Sequence, residues 1–263
     1  MNNLRNTRAA HSLRVIVALT LREVESGGKL VSNMVLWPVI EPVFGITLLS
    51  ILFAIALPAP PLGNSFALFY ASGLLPLMLF QDVTQKMIVA VRYSRPLLGF
   101  ASIGPLEMIL SRVIVAILIQ LMVMTLILGV LVAISPYTLR FDVPALTASL
   151  FSVGILALGF GAFGCWLSLE FPVWPRIWAI ALRPLIFVSG VFFLIDDIAA
   201  PYREWAMWNP LAQVISVFRQ GIYQNYHGVP SSLGLVIAIG LIFLAAGLVG
   251  LQKREPQLID GII

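Results

Sequence analysis

The sequence predicts an all-α membrane protein with six transmembrane helices in each chain. Three observations indicate this class: 60% of the residues are hydrophobic, only 11% are charged, and the mean hydropathy is +0.99. A water-soluble domain of 263 residues would precipitate with such a composition, so lipid must solvate most of the chain. The charged residues then define the ends of the spans rather than a polar surface.

Six apolar stretches meet the length of ~20 residues that a membrane-spanning helix needs. They cover residues 35–57, 66–90, 113–134, 143–168, 177–195 and 233–251. The second stretch turns polar at Gln81 and Asp82, so we expect its helix to continue past the bilayer edge toward Arg92. The fifth contains Arg183 and Pro184.

The positive charges predict the orientation. An even number of spans places both termini on one side, and 13 of the 16 Lys and Arg residues fall on that side. Only Arg140, Arg203 and Arg219 fall on the other side. Cytoplasmic segments carry an excess of Lys and Arg, so both termini are predicted to be cytoplasmic.

The segment before the first span has the pattern of an amphipathic helix. In AHSLRVIVALTLREVES, apolar residues such as Leu13, Ile16 and Val17 share one face, and charged residues share the other. This predicts a helix in the membrane interface, with a cytoplasmic helix packed on a partner as the alternative. We predict one membrane domain over 1–263, comprising a cytoplasmic and interfacial part (1–34), the six-span core (35–251) and a cytoplasmic tail (252–263).

Residue types that carry enzyme chemistry are not grouped in the sequence. Cys165 is the single cysteine, neither His11 nor His227 lies near a second metal ligand, and Asp196-Asp197 reads as a solvated turn. The phosphate-binding pattern G-x-x-x-x-G-K-[ST] is absent. We therefore predict that this chain has no catalytic, metal or cofactor residues, does not hydrolyse ATP itself and has no nucleic-acid partner.

Two charges are predicted inside the spans, Glu41 and Arg183. Both lie about two turns from the cytoplasmic ends of their helices, and an unpaired charge is costly in hydrocarbon. They are expected either to form an ion pair between the first and fifth spans or to line a polar path at its cytoplasmic mouth.

The largest external segment, 196–232, predicts a helix that enters the membrane and returns. Tyr202, Trp205 and Trp208 form the aromatic cluster typical of a membrane interface. Asn209 is predicted to cap a helix that begins at Pro210. That helix is expected to present one apolar stripe and one polar face.

These residues resemble a known family. PLIFVSGVFF (184–193) and YREWAMWNPLAQVISVFRQGIY (202–223) resemble the fifth span and re-entrant external helices of ABC transporter permeases of the type-two export superfamily, most closely the membrane subunit of capsular polysaccharide exporters. The likeness continues, in order along the chain, in LWPVIEP (36–42), SGLLPLMLF (72–80), GPLEMILSR (104–112) and EFPVWPRI (170–177).

The resemblance implies a homodimer in the bacterial inner membrane, bound to two copies of a separate ATPase that holds the ATP and Mg. It also implies a polysaccharide substrate, periplasmic adaptor and outer-membrane export partners, and contacts with membrane lipids. The 92–105 loop is then the expected coupling helix that docks on the ATPase, with an ordinary basic loop at the lipid headgroups as the alternative. Its predicted contacts are Arg95, Leu97, Leu98 and Phe100.

A polysaccharide path needs aromatic rings and exchangeable hydrogen-bond partners. The predicted path residues are Phe69, Tyr70, Trp166 and Trp178, although the tryptophans can equally face lipid. The predicted external gate comprises Tyr202, Trp205, Trp208, Asn209, Pro210 and Arg219, the last meeting an anionic sugar or lipid phosphate, or anchoring at the headgroups. Two alternatives stay open: an exporter of O-antigen or teichoic acid, and an integral membrane glycosyl- or acyl-transferase.

Overall fold

The computed structural model describes residues 14–22, 31–93, 105–135, 141–228 and 231–259. Within these ranges every regular element is a helix, as the sequence predicts. The helices are α1 over residues 14–22, α2 (Val31–Ala56), α3 (Phe66–Tyr93), α4 (Pro105–Ala133), α5 (Val143–Glu170), α6 (Trp174–Val188), α7 (Tyr202–Met207), α8 (Pro210–Ile222) and α9 (Leu233–Ile259), with a 3-10 turn at Ile195–Asp197. The predicted extension of the second span past Gln81-Asp82 is confirmed by α3.

Five of the described helices, α2, α3, α4, α5 and α9, are long and apolar enough to cross a bilayer. Helix α3 has the lowest mean hydropathy of the five, 1.4, and is the most buried, at 72%, whereas α2 has a hydropathy of 2.2 and is 11% buried. A helix surrounded by protein can carry polar side chains, while a helix facing lipid must be apolar. Helix α3 therefore lies at the centre, between α2, α4, α5 and α8.

The prediction of a full span over 177–195 is wrong in extent. Helix α6 has only 15 residues and ends at Val188; at ~1.5 Å per residue it falls short of a hydrocarbon core of ~30 Å. Ser189 ends the helix, and Gly190 follows with a φ of +76°. That left-handed conformation suits glycine and stops the helix, so the chain leaves α6 as non-helical backbone.

Glycines allow α5 to approach its neighbours. A methyl group on Gly159 would overlap the carbonyl oxygen of Gly240 in α9, and one on Gly161 would lie 2.6 Å from the sulfur of Met87 in α3. Gly164 is equally crowded by α3. At these three positions the missing side chain lets α5 pack closely against α3 and α9.

Helix α8 is buried on all sides. Its apolar stripe packs among α3, α5 and α9, but Gln213, Ser216 and Arg219 on the predicted polar face are also buried, at 6%, 3% and 2% exposed. These three polar side chains therefore lie inside the bundle, a location that the sequence pattern does not indicate. The polar side chains are tolerated because they bond to backbone groups of neighbouring segments, as described next.

Candidate functional site

The N-terminus of α8 is held by Asn209, as the sequence predicts. The Asn209 Oδ1 accepts a hydrogen bond from the Leu211 N–H at 3.0 Å, and Pro210 occupies the first helical position. The Asn209 Nδ2 also donates to the carbonyl of Val188 at 2.9 Å. One side chain thus caps α8 and links it to the last residue of α6.

Arg219 is the most buried charge in the described part of the chain, at 2% exposed. Its guanidinium donates to the carbonyls of Gly190 (2.7 Å), Val191 (2.9 Å) and Phe193 (3.0 Å), and lies 4.3 Å from the centroid of the Phe69 ring. Arg219 therefore does not face an external anion. It satisfies the backbone that follows α6, which has lost its helical bonds.

The rest of the polar face is satisfied in the same way. Gln213 donates to the Met207 carbonyl and accepts from the Ser232 N–H at 2.9 Å. Beyond the helix, the Tyr226 hydroxyl donates to Asp196 at 2.7 Å, and burial raises the pKa of Tyr226 to about 12. These contacts tie α8 and the following loop to the segments on either side.

The aromatic residues of the predicted external gate lie on the surface. Tyr202, Trp205 and Trp208 are 64%, 73% and 72% exposed, and Tyr202 packs edge-on against Trp205. They belong to α7 and the turn that follows it. Their rings are available to lipid or to a partner, so their role in a gate stays a prediction.

Two of the four predicted path aromatics are inside the bundle. Phe69 and Tyr70 are 0% exposed, so neither lines an open path within one chain. The Phe69 ring packs against the Arg219 guanidinium. The Tyr70 ring contacts Phe53, and the Tyr70 hydroxyl has no hydrogen-bond partner among the described residues. The sequence identifies apolar aromatics but does not indicate whether they pack or line a path.

The two predicted tryptophans are half-buried. The Trp178 indole donates to the Thr84 hydroxyl at 3.4 Å, and the Trp166 ring fills the space beside Gly250 between α5 and α9. Both contacts hold helices together. Whether either ring also meets a sugar stays a prediction.

Glu41 and Arg183 are both exposed and form no ion pair with each other among the described residues. Glu41 instead lines a cavity of about 530 Å³ between α2, α3 and α4, whereas Arg183 is not part of its wall. The structure thus favours the alternative of a polar path over the ion pair for Glu41.

That cavity is the polar site that the sequence analysis missed. Its wall includes Trp37 of α2, Gln81 and Gln85 of α3 and Gln120 of α4. Asp82 and Lys86 also contribute, already paired at 2.7 Å. A signal was present in the sequence, because Gln81 and Gln85 are one helical turn apart and Gln120 interrupts an apolar span.

The predicted ATPase contacts Arg95, Leu97, Leu98 and Phe100 lie outside the described residues. They stay a prediction.

The chain is similar along most of its length to named transport proteins. It is 26% identical over 246 residues to the polysialic acid transport protein KpsM of Escherichia coli, covering 93% of this chain and 95% of the relative. It is 24% identical over 249 residues to the capsule polysaccharide export inner-membrane protein BexB of Haemophilus influenzae, covering 93% and 94%.

A third relative is the capsule polysaccharide export inner-membrane protein CtrC of Neisseria meningitidis, 23% identical over 249 residues, again 93% and 94% of the two chains. No protein-family model matches the chain. The resemblance predicted from the sequence, to the membrane subunit of capsular polysaccharide exporters, is confirmed by these relatives.

Proposed function

We propose that this chain is the transmembrane subunit of an ATP-driven exporter that moves capsular polysaccharide across a bacterial inner membrane. The observation that carries the proposal is its similarity, over 93% of its length, to proteins named for capsule polysaccharide export and polysialic acid transport. The long apolar helices support a multi-pass membrane protein. All three relatives are named for transport or export, which favours a transport subunit over a membrane transferase.

We further propose six crossings per chain, with both termini cytoplasmic. Helix α6 is too short to cross alone, but the backbone from Gly190 to Phe193 extends it. Non-helical backbone is tolerated at membrane depth only where protein satisfies its polar groups. The donation from Arg219 to three of these carbonyls supports such an extended crossing. Helix α8 would then be the re-entrant element that supplies this donor.

The proposed assembly is a homodimer carrying two ATPase copies. Helix α2 supports it, since its transmembrane window is only 11% buried within one chain. Large apolar residues such as Phe44 and Ile55 are 66% and 83% exposed along it. This face can pack against a second copy of the chain while the remainder meets lipid.

On the external side, we propose that α7 forms the gate or the dock for periplasmic adaptor and outer-membrane partners. The exposed rings of Trp205 and Trp208 support a contact surface there. On the cytoplasmic side, the 92–105 loop is proposed to couple to the ATPase. Leu97 and Leu98 would fill a groove of the ATPase, beside Phe100, while Arg95 contacts its rim.

The test is to express this chain with the ATPase encoded beside its gene and to purify through a tag on this chain alone. Equal amounts of both proteins, with ATP hydrolysis in nanodiscs, are the expected result. Changing both Leu97→Asp and Leu98→Asp should abolish co-purification. A chain that purifies alone, and that restores no capsule to cells lacking their own exporter subunit, would overturn the proposal.

A further inference from the structure

We infer that the cavity between α2, α3 and α4 is a sugar-binding site, which holds one residue of the transported polymer through its hydroxyl groups. This inference rests on the proposed function and names the place where the chain contacts its substrate. The volume of about 530 Å³ lies in the range of small-molecule sites, ~300–1,000 Å³.

The first argument is that the cavity wall contains polar groups that the protein leaves unpaired. The Gln85 Oε1 is buried and has no hydrogen-bond partner within the described chain. Gln120 is 9% exposed, and its amide makes no hydrogen bond to any described residue. A buried polar atom without a partner costs stability, so folding gives no reason to keep the Gln85 amide oxygen at this place.

The second argument is that the wall contains further hydrogen-bond acceptors. The Glu41 carboxylate faces the same cavity without an ion-pair partner in the described residues. In α2, Pro42 has no N–H and cannot donate to the carbonyl of Pro38, which also lines the wall. Together with Gln85, these groups offer oxygen atoms that need donors. Sugar hydroxyls are such donors, and several lie on one ring.

The third argument concerns shape and charge. The indole of Trp37 lines the cavity and is 67% exposed, which offers an aromatic face to the C–H face of a sugar ring. The wall carries charges of both signs: Asp82 and Lys86 are paired at 2.7 Å, and Arg112 lies in the same wall as Glu41. Glutamine amides and a single aromatic ring bind a sugar weakly. Weak binding is required of this site, because the polymer must leave it as export proceeds.

The site can be tested without knowing the polymer, because the cell supplies it. Gln120→Cys places a thiol in the wall, and its reaction with N-ethylmaleimide is measured in exporting cells with polymer synthesis switched on or off. Polymer should slow labelling about fivefold. Gln252→Cys, an exposed glutamine position in the C-terminal third of α9 and outside the cavity, should react equally in both states. Wild-type chain, with only the buried Cys165, gives the background.

A second variant tests the same site through export. Gln85→Met keeps the size of the side chain and removes the unpaired oxygen, so thermal stability should not fall. Export should fall about tenfold, the effect of one lost hydrogen bond to the substrate. The matched control Gln252→Met should export at the wild-type rate.

Equal labelling of Gln120→Cys with and without polymer, or normal export by Gln85→Met, would overturn the inference. The proposed function is judged separately, by whether the wild-type chain restores capsule to cells that lack their own exporter subunit. If the chain restores export but polymer does not change the labelling of Gln120→Cys, the sugar site is disproved and the proposed function is still supported.

Discussion

The guanidinium of Arg219 in α8 lies 4.3 Å from the centroid of the Phe69 ring in α3. The same group donates to the carbonyls of Gly190, Val191 and Phe193. One side chain thus joins α8, the central helix α3 and the segment after α6. A cation on an aromatic face with carbonyl acceptors around it needs no carboxylate partner, because the carbonyls and the ring together offset the lost hydration.

Arg219→Met should lower the free energy of unfolding by about 3 kcal/mol or more, since three carbonyls lose their donor. Arg219→Lys should recover part of this, because an ammonium keeps the charge but lacks the planar fork. Thermal unfolding in detergent measures both. Arg203→Met is the matched control, since Arg203 also bonds to two carbonyls but at an exposed position. Equal losses for the two Met variants would contradict the role of Arg219.

Asn209 has two separable contacts, so two substitutions distinguish them. Asn209→Ala should cost about 1 kcal/mol or more, because it removes both the cap and the bond to Val188. Asn209→Ser keeps a side-chain oxygen that can cap the helix and removes the amide N–H that bonds to Val188, so an intermediate loss of unfolding free energy is expected. If the Ser variant were as unstable as the Ala variant, the cap would contribute nothing.

The contact between α5 and α9 predicts opposite effects for two glycines of one helix. Gly159→Ala places a methyl group against the Gly240 backbone, which must shift, and should lower the unfolding temperature. Gly154→Ala meets no atom within 4 Å and should raise stability by about 0.5–1 kcal/mol, the usual gain in a helix interior. Thermal unfolding of both variants tests the packing. A stable Gly159→Ala protein would mean that the helices do not approach so closely.

Tyr70 is expected to act by packing rather than by hydrogen bonding. Its hydroxyl has no partner among the described residues, so Tyr70→Phe should leave export and stability unchanged or slightly improved. Tyr70→Ala should destabilise the chain by about 3–5 kcal/mol, as expected when a buried ring is removed. Export assays and unfolding measurements distinguish the two cases. A stable Tyr70→Phe variant that fails to export would restore Tyr70 to the sugar path.

Much of the fold could be predicted because it depends on local properties of the sequence. Five of the six predicted spans match described helices long enough to cross a bilayer, since apolar length alone identifies such helices. The Asn209-Pro210 start of α8 was also predictable, because capping involves only neighbouring residues. The early end of α6 was not predicted. The sequence analysis singled out Arg183 and Pro184, but both lie inside the helix, and the helix ends just before Gly190.

The candidate site was predictable only in part. Glu41 was recognised from its charge within an apolar span, and it does line a polar cavity. Gln85 and Gln120 were missed because neutral amides barely interrupt an apolar pattern. Their importance appears only when helices distant in sequence bring them to one wall.

The sequence by itself determined the membrane class, the order of the helices and the family resemblance, because hydrophobic length, capping and motif order are properties of the chain. Only the tertiary structure decided which polar groups are paired. Arg219 looks solvated in the sequence, yet its partners lie 26 to 29 residues earlier, and Ser72, 147 residues earlier, also accepts from it at 3.4 Å. A polar side chain among apolar helices must find partners wherever packing places them.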